Sequence, residues 1–262
     1  MAHRQRLRHM AVSAVAGTPQ DTTRARPLGE DVLTARDLYR FHRAGEEETL
    51  ALRGVSLTVR RGETVAVVGP SGAGKSTLLA CLAGLDEPSG GEVRVDGVRI
   101  SHRPETERAR LRARHIGVLL QTRNLLPHLS VRDNVLLPQR AVGGRPAVPV
   151  DALLEQAGIA GRAHALPRRL SGGELARAGL AVALANSPAV LLADEPTGEL
   201  DGETERRVLT MLRHRAAEGC AVLIVTHSAE AVRIADRVIT LDDGTATDGP
   251  SSTPVAVPGG KP

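Results

Sequence analysis

Residues Gly69-Pro70-Ser71-Gly72-Ala73-Gly74-Lys75-Ser76 follow the spacing G-x-x-x-x-G-K-S, between the apolar run Thr64–Val68 and a helix-forming run that begins at Lys75. Glycines at these positions let the backbone wrap until successive N–H groups face an anion, and a helix N-terminus adds partial positive charge. Polyphosphate is the anion such a loop suits. Lys75 would reach the β- and γ-phosphates as a compact, movable charge, Ser76 offers a hydroxyl to Mg²⁺, and Thr77 supports phosphate binding. Of the 34 basic side chains only Lys75 and Lys261 are lysines. A GC-rich genome favours arginine codons, so a retained lysine marks a position where a planar guanidinium would not serve.

A second group of chemically able residues ends the apolar run Val190-Leu191-Leu192-Ala193. Asp194, at the tip of such a strand, can hold the Mg²⁺ shell, and Glu195 beside it can polarise a water. Adjacent carboxylates repel unless a cation lies near them, so without metal the pair should contain a perturbed acid. The third group is Leu170-Ser171-Gly172-Gly173-Glu174, which opens a small-residue helix running to Ala185. Free N–H groups at that helix start suit another face of a phosphate. The same residues also fit a plain capping box, with Ser171 at the N-cap and Glu174 three residues on. On the residues alone the capping box is the preferred reading.

Elements that could position these groups alternate along the chain. Strands are expected at 32–39, 50–59, 63–68, 116–121, 190–194, 221–226 and 237–241, and a hairpin-like strand at 91–100 with Asp96-Gly97 at its turn. Helices are expected at 75–85, 203–217 and 229–235, with 123–185 largely helical between Pro and Gly punctuation. Apolar strands alternating with helices imply a largely parallel sheet covered on both faces. A length of 262 residues holds one large α/β domain or two small ones. Residues 1–30 read as a basic, disordered tail, with Met10 an alternative start, 31–245 as the folded domain, and 246–262 as a second disordered tail.

Composition narrows the function classes. No run approaches the about 18 apolar residues of a membrane span, and two cysteines without metal-ligand spacing fit a reducing cytoplasm. Tyr39 and Phe41 are the sole aromatics, which leaves no platform for stacking bases beyond residue 41. From His102 to Arg177 there are 13 arginines against 6 acidic residues, although the whole chain carries only +4. Most of these arginines are expected to form a solvated face; a surface meeting acidic lipid or a membrane partner is the functional alternative.

Taken in order, the motifs resemble those of ATP-binding-cassette (ABC) ATPases over roughly residues 32–245. The resemblance implies an α/β P-loop NTPase core with an antiparallel β subdomain and an inserted helical subdomain at about 122–186. Gln121 sits where the family has a glutamine that touches Mg²⁺ or water and senses the transmembrane partner. Thr197-Gly198-Glu199-Leu200-Asp201 looks like the family's D-loop, with Asp201 crossing a dimer interface, and Val225-Thr226-His227 places His227 toward the γ-phosphate. The adenine-stacking position falls at Phe41 or His42, with Tyr39 expected to pack in the core.

The resemblance further implies an ATPase that uses ATP and Mg²⁺. Its residues would be Glu195, His227 and Gln121 for hydrolysis, Gly69–Thr77 for the phosphates, and Ser171–Glu174 closing from a second copy. Segment 123–135 and Pro196-Thr197-Gly198-Glu199-Leu200-Asp201 resemble the lipoprotein-releasing, macrolide-exporting and cell-division-type group. That group's nucleotide subunit serves membrane permeases from the cytoplasmic face, with export or extraction the expected direction. Leu175, Ala176, Val182 and Leu120 depart from the group's usual residues. An ABC ATPase that works a membrane scaffold without cargo is the alternative, and nucleic acid is not an expected partner.

Overall fold

In the computed structural model, residues 28–44, 47–143, 146–198 and 200–249 are described. The long runs flanking the first turn pair as two 14-residue strands, β1 (Asp31–Ala44) and β2 (Glu47–Arg60). β4 (Gly90–Val95) joins the other edge of β1, and β5 (Val98–Arg99) folds back on β4, giving an antiparallel sheet ordered β2-β1-β4-β5. Asp96 and Gly97 take φ of 54° and 79° at the β4–β5 turn. Such values suit Asp-Gly, because both central positions of this hairpin type need positive φ.

The second sheet is built from the apolar runs. β3 (Thr64–Val68), β6 (Ile116–Leu119), β7 (Val190–Asp194), β8 (Ala221–Val225) and β9 (Arg237–Asp242) lie parallel, and β10 (Thr245–Gly249) runs antiparallel along the β9 edge. The order β10-β9-β3-β8-β7-β6 sets β3 and β7 on either side of β8, so their C-terminal tips open on the same edge. Both faces are covered. Leu223 and Val225 of β8 pack with Leu78 and Leu82 of α1 (Lys75–Leu82) and with Leu33 and Leu52 of the antiparallel sheet. Val222 and Ile224, pointing the other way, pack with Leu209 and Leu212 of α6 (Gly202–Ala217) and with Leu180 of α5 (Gly172–Ala183). This period of two with apolar residues on both sides is the signature of a doubly covered parallel sheet.

Between β6 and β7 lie α3 (Val131–Val142), α4 (Val150–Gln156), two short 3₁₀ turns and α5. The stretch expected as largely helical is therefore three helices with irregular connections; Asn134, only 4% exposed, ties the 126–130 connection to α3 through its side-chain amide. After α6 and β8, α7 (Ala229–Ile234) starts at a Ser228 cap.

Four features differ from the sequence expectation. α2 (Glu105–His115) has no buried residue, and its turns are held by ion pairs, Arg112 with Glu105 at 3.2 Å and Arg103 with Glu107 at 2.9 Å. Residues 246–249, placed in the tail, complete β10 because Asp243 and Gly244 (φ of 41° and 75°) make a second two-residue turn. Tyr39, expected in the core, is 42% exposed and lies across Gly54 and Gly90, whose missing side chains leave it room. Residues 28–30 also join the domain: Gly29 N donates to Arg61 O at 3.0 Å. The remainder of both expected tails lies outside the described residues.

Cys81 is buried on α1, and Cys220 precedes β8 in a half-buried position. Burial pushes both thiols up to about 12. Among the described residues no helix is long and apolar enough to cross a membrane.

Candidate functional site

β3 delivers the glycine-rich loop from the middle of the sheet. A Cβ on Gly69 (φ +156°) would stand 2.0 Å from the Leu241 carbonyl oxygen, and one on Gly74 (φ +97°) 2.4 Å from that of Ala51. Neither position admits another residue without moving backbone. Gly74 caps α1 without a side-chain hydrogen bond, and the first turn of that helix carries no acidic residue. Its N–H groups therefore meet no competing side-chain anion, which is the condition for holding a phosphate.

Lys75 is 9% exposed, and its Nζ donates to the carbonyls of Gly69 and Pro70, both at 2.8 Å. Burial lowers its pKa, while Glu195 and Asp194 act in the opposite direction. The ammonium is thus cradled within its own loop, facing two carboxylates on β7 and the turn after it.

Ser76 Oγ stands 3.4 Å from Asp194 Oδ2. A hydroxyl and a carboxylate facing each other are the hard oxygen donors that suit Mg²⁺. No cluster of three or more His, Cys, Asp or Glu side chains able to hold a metal exists among the described residues. The fit is to a cation bound by few protein atoms and completed by phosphate and water. Burial, then the charge of Glu195, raises the Asp194 pKa.

Glu195 adopts a left-handed backbone (φ 44°), and its N–H donates to Val225 O at 2.9 Å. That turn aims its carboxylate at the loop after β8. Oε2 accepts from Thr226 Oγ at 3.3 Å and from the His227 N–H at 3.2 Å, and Oε1 lies 3.7 Å from His227 Nε2. Gln121 and Glu195 line one cavity of about 250 Å³ together with Gly172 and Leu175 of α5. Asn124 makes a two-way clamp on the residue before Gln121, accepting from Leu120 N at 2.8 Å and donating to Leu120 O at 2.6 Å. The sequence gives no role to Asn124; only the folded loop brings its amide back onto residue 120.

Near the edge of this region, His42 Nε2 is 3.3 Å from Thr77 Oγ, which places the His42 ring beside the first turn of α1. Phe41 is 39% exposed, and its N–H donates to Ser89 Oγ at 3.2 Å.

Ser171 and Asp201 each cap a helix of their own, α5 and α6. Ser171 Oγ accepts from Glu174 N at 3.3 Å, and Glu174 Oε2 accepts from Ser171 N at 2.9 Å, so the capping box forms. Arg162 takes the other Glu174 oxygen at 2.9 Å. The Glu174 carboxylate is consequently occupied inside its own chain, whereas Ser171, Gly172 and Asp201 are exposed. Asp201 caps α6 by accepting from the N–H groups of Glu203 and Thr204. Glu199 of the same loop lies outside the described residues.

The family model described as ABC transporter matches residues 52–198. The chain is 39% identical over 234 residues to "Macrolide export ATP-binding/permease protein MacB 2" of Aeromonas hydrophila, covering 88% of this chain and 36% of that protein. It is 45% identical over 231 residues to "Methionine import ATP-binding protein MetN" of Mesorhizobium japonicum, covering 86% and 62%. "Lipoprotein-releasing system ATP-binding protein LolD 1" of Rhodospirillum rubrum is 44% identical over 204 residues, covering 76% of this chain and 90% of that one. The chain thus spans between about a third and two thirds of the MacB 2 and MetN proteins. Among solved structures, the dimeric structure of MJ0796, a bacterial ABC transporter cassette, superposes with a TM-score of 0.78 at 33% identity, covering 84% of this chain and 99% of that one. With this match across the sheet, the phosphate loop and the carboxylates, the chain belongs to the ABC transporter family and folds as its ATP-binding cassette.

Proposed function

We propose that this chain is the ATP-binding and hydrolysing subunit of an ABC transporter, acting as a head-to-tail pair under membrane permease subunits. The observation that carries the reading is the convergence of Lys75, Ser76, Asp194, Glu195 and His227 at the tips of β3, β7 and β8. Lys75 exchanges its two loop carbonyls for phosphate oxygens, so binding replaces hydrogen bonds already made. Magnesium, when bound, supplies positive charge at the phosphates, and Ser76 and Asp194, with Gln121 as a further candidate, are the side chains to hold it. Glu195 acts as the base that orients water, with His227 and Thr226 fixing its carboxylate. His42 or Phe41 stacks on the adenine.

Dimerisation is supported by the exposure of Ser171 and Gly172 and by the dimeric form of the 33% identical cassette. In such a pair, Ser171 and Gly172 of one copy close on the nucleotide held by the other, and Asp201 meets the interface. The cavity shared by Gln121, Glu195 and α5 is the route by which closure reaches the helical region. Names with export and release among the relatives support an outward or extracting direction, and the methionine-import relative weighs against it.

The test is direct. Purified chain with ATP and Mg²⁺ should release phosphate and form an ATP-dependent dimer in sedimentation velocity. Failure to retain or cleave ATP at concentrations that permit pairing overturns the reading.

A further inference from the structure

Glu205 lies on the first turn of α6, outside the motifs that carry the family resemblance. Its carboxylate is half-buried. Oε1 accepts from Thr197 Oγ at 3.0 Å and from Ser228 Oγ at 2.6 Å. Thr197, 4% exposed, is two residues beyond Glu195 in the turn after β7. Ser228 follows His227 in the turn after β8 and caps α7 by accepting from Glu230 N and Ala231 N. One oxygen atom therefore joins the two turns that carry the proposed base and the proposed histidine.

The link continues back to the base. Ser228 N donates to Thr226 Oγ at 2.9 Å, and Thr226 Oγ donates to Glu195 Oε2 at 3.3 Å. Glu195, Thr226, Ser228, Glu205 and Thr197 form a closed circuit through the backbone of the β7 turn. A half-buried carboxylate shared by two hydroxyls is stronger than a neutral pair and holds both donors in fixed directions.

We propose that Glu205 is a positioning residue, which locks the β7 and β8 turns together so that Glu195 and His227 stay in register. The proposal deepens the ATPase reading above and rests on it. Glu205 hydrogen-bonds to Thr197 and Ser228 and to none of the phosphate-loop residues, so its loss should leave nucleotide binding in place and slow the step that needs Glu195 and His227 aligned. Sub-ångström misalignment at a reacting centre costs about tenfold and more in rate.

The experiment compares Glu205→Ala and Glu205→Gln in the full chain, reading kcat and KM for ATP together with amide exchange in residues 226–229 without nucleotide. Expected for Glu205→Ala is a kcat lowered about tenfold with KM within about twofold. Exchange should be about tenfold faster at His227 and Ser228, and unchanged in β8. Glu205→Gln keeps an accepting oxygen and should recover most of both. If Glu205→Ala does not fold, Thr197→Val removes one arm of the link and should show the same kcat-only loss in smaller measure. Wild-type kcat in the alanine variant overturns the proposal, as do equal losses in both variants or a joint collapse of KM and melting temperature. A wild-type protein without ATP turnover overturns the ATPase reading instead, and the exchange measurement then decides the Glu205 link by itself.

Discussion

Ser76 opens helix α1 and Asp194 ends strand β7, yet the hydroxyl oxygen of one faces the carboxylate of the other at 3.4 Å. Burial and the neighbouring Glu195 hold the Asp194 carboxyl above the usual aspartate range. A raised folded pKa means that the folded state holds its proton longer than the unfolded chain. Ionisation then costs stability progressively as pH rises from the ordinary range through the raised value. Asp194→Asn, which cannot ionise, should melt higher than wild type at neutral pH without nucleotide or metal, the difference vanishing in acid. With Mg²⁺ and ATP the order should reverse, because only the carboxylate is stabilised by the cation. Differential scanning calorimetry at several pH values reads both arms; a lower-melting apo variant at neutral pH would refute the account.

Lys75 carries a second prediction. Its ammonium already satisfies two carbonyls at 2.8 Å in a loop whose glycines 69 and 74 pass close to the carbonyls of Leu241 and Ala51. Lys75→Ala should weaken ATP by about 3 kcal/mol, roughly 100-fold in Kd, by titration calorimetry. Lys75→Arg should not rescue, since a planar fork does not fit where a compact charge is cradled.

For Glu195, the amide substitution is informative because glutamine keeps an oxygen to accept from Thr226 and His227 N–H. Glu195→Gln should therefore fold and retain ATP while turnover falls about 10²–10⁴-fold. A long-lived ATP-bound dimer should appear in sedimentation. Turnover at the wild-type rate would remove Glu195 from the role of base.

Gly74→Ala tests the loop backbone itself. The position combines φ of +97° with a Cβ that would meet the Ala51 carbonyl oxygen at 2.4 Å. Strain of this kind costs about 1–3 kcal/mol, which urea unfolding should resolve as a lower midpoint with an unchanged slope. Ser171→Gly, at an exposed helix cap, should change the midpoint far less.

How far the fold could be read from the chain depends on how local each signal is. The phosphate loop is contiguous, and its glycines, lysine and serine sit in the folded structure in the order their chemistry requires. The buried strands announced themselves by apolar runs, unbroken in β8 and interrupted by Thr240 in β9. α2 offers no such run, since Glu105, Arg108 and Arg112 stabilise it through charge pairs on a helix with no fully buried residue, where Leu111 packs in part against the core. β10 was signalled by Asp243-Gly244 as clearly as β4–β5 by Asp96-Gly97, but its own residues, Thr-Ala-Thr-Asp-Gly, lack an apolar alternation. The Glu205 link to Ser228 spans 23 residues, and the Asn124 clamp depends on a loop that turns back on Leu120. No pattern in the sequence marks either one, because both are made by tertiary placement.

The two thiols held at about 12 have a practical outcome for anyone who wishes to watch this cassette close. Maleimide and disulfide reagents attack thiolates, and almost none exist here at neutral pH. The natural protein should emerge from labelling uncoloured. A single cysteine introduced on the exposed rim would then be the one reporter, and fluorophores or spin labels could be attached without first replacing Cys81 and Cys220.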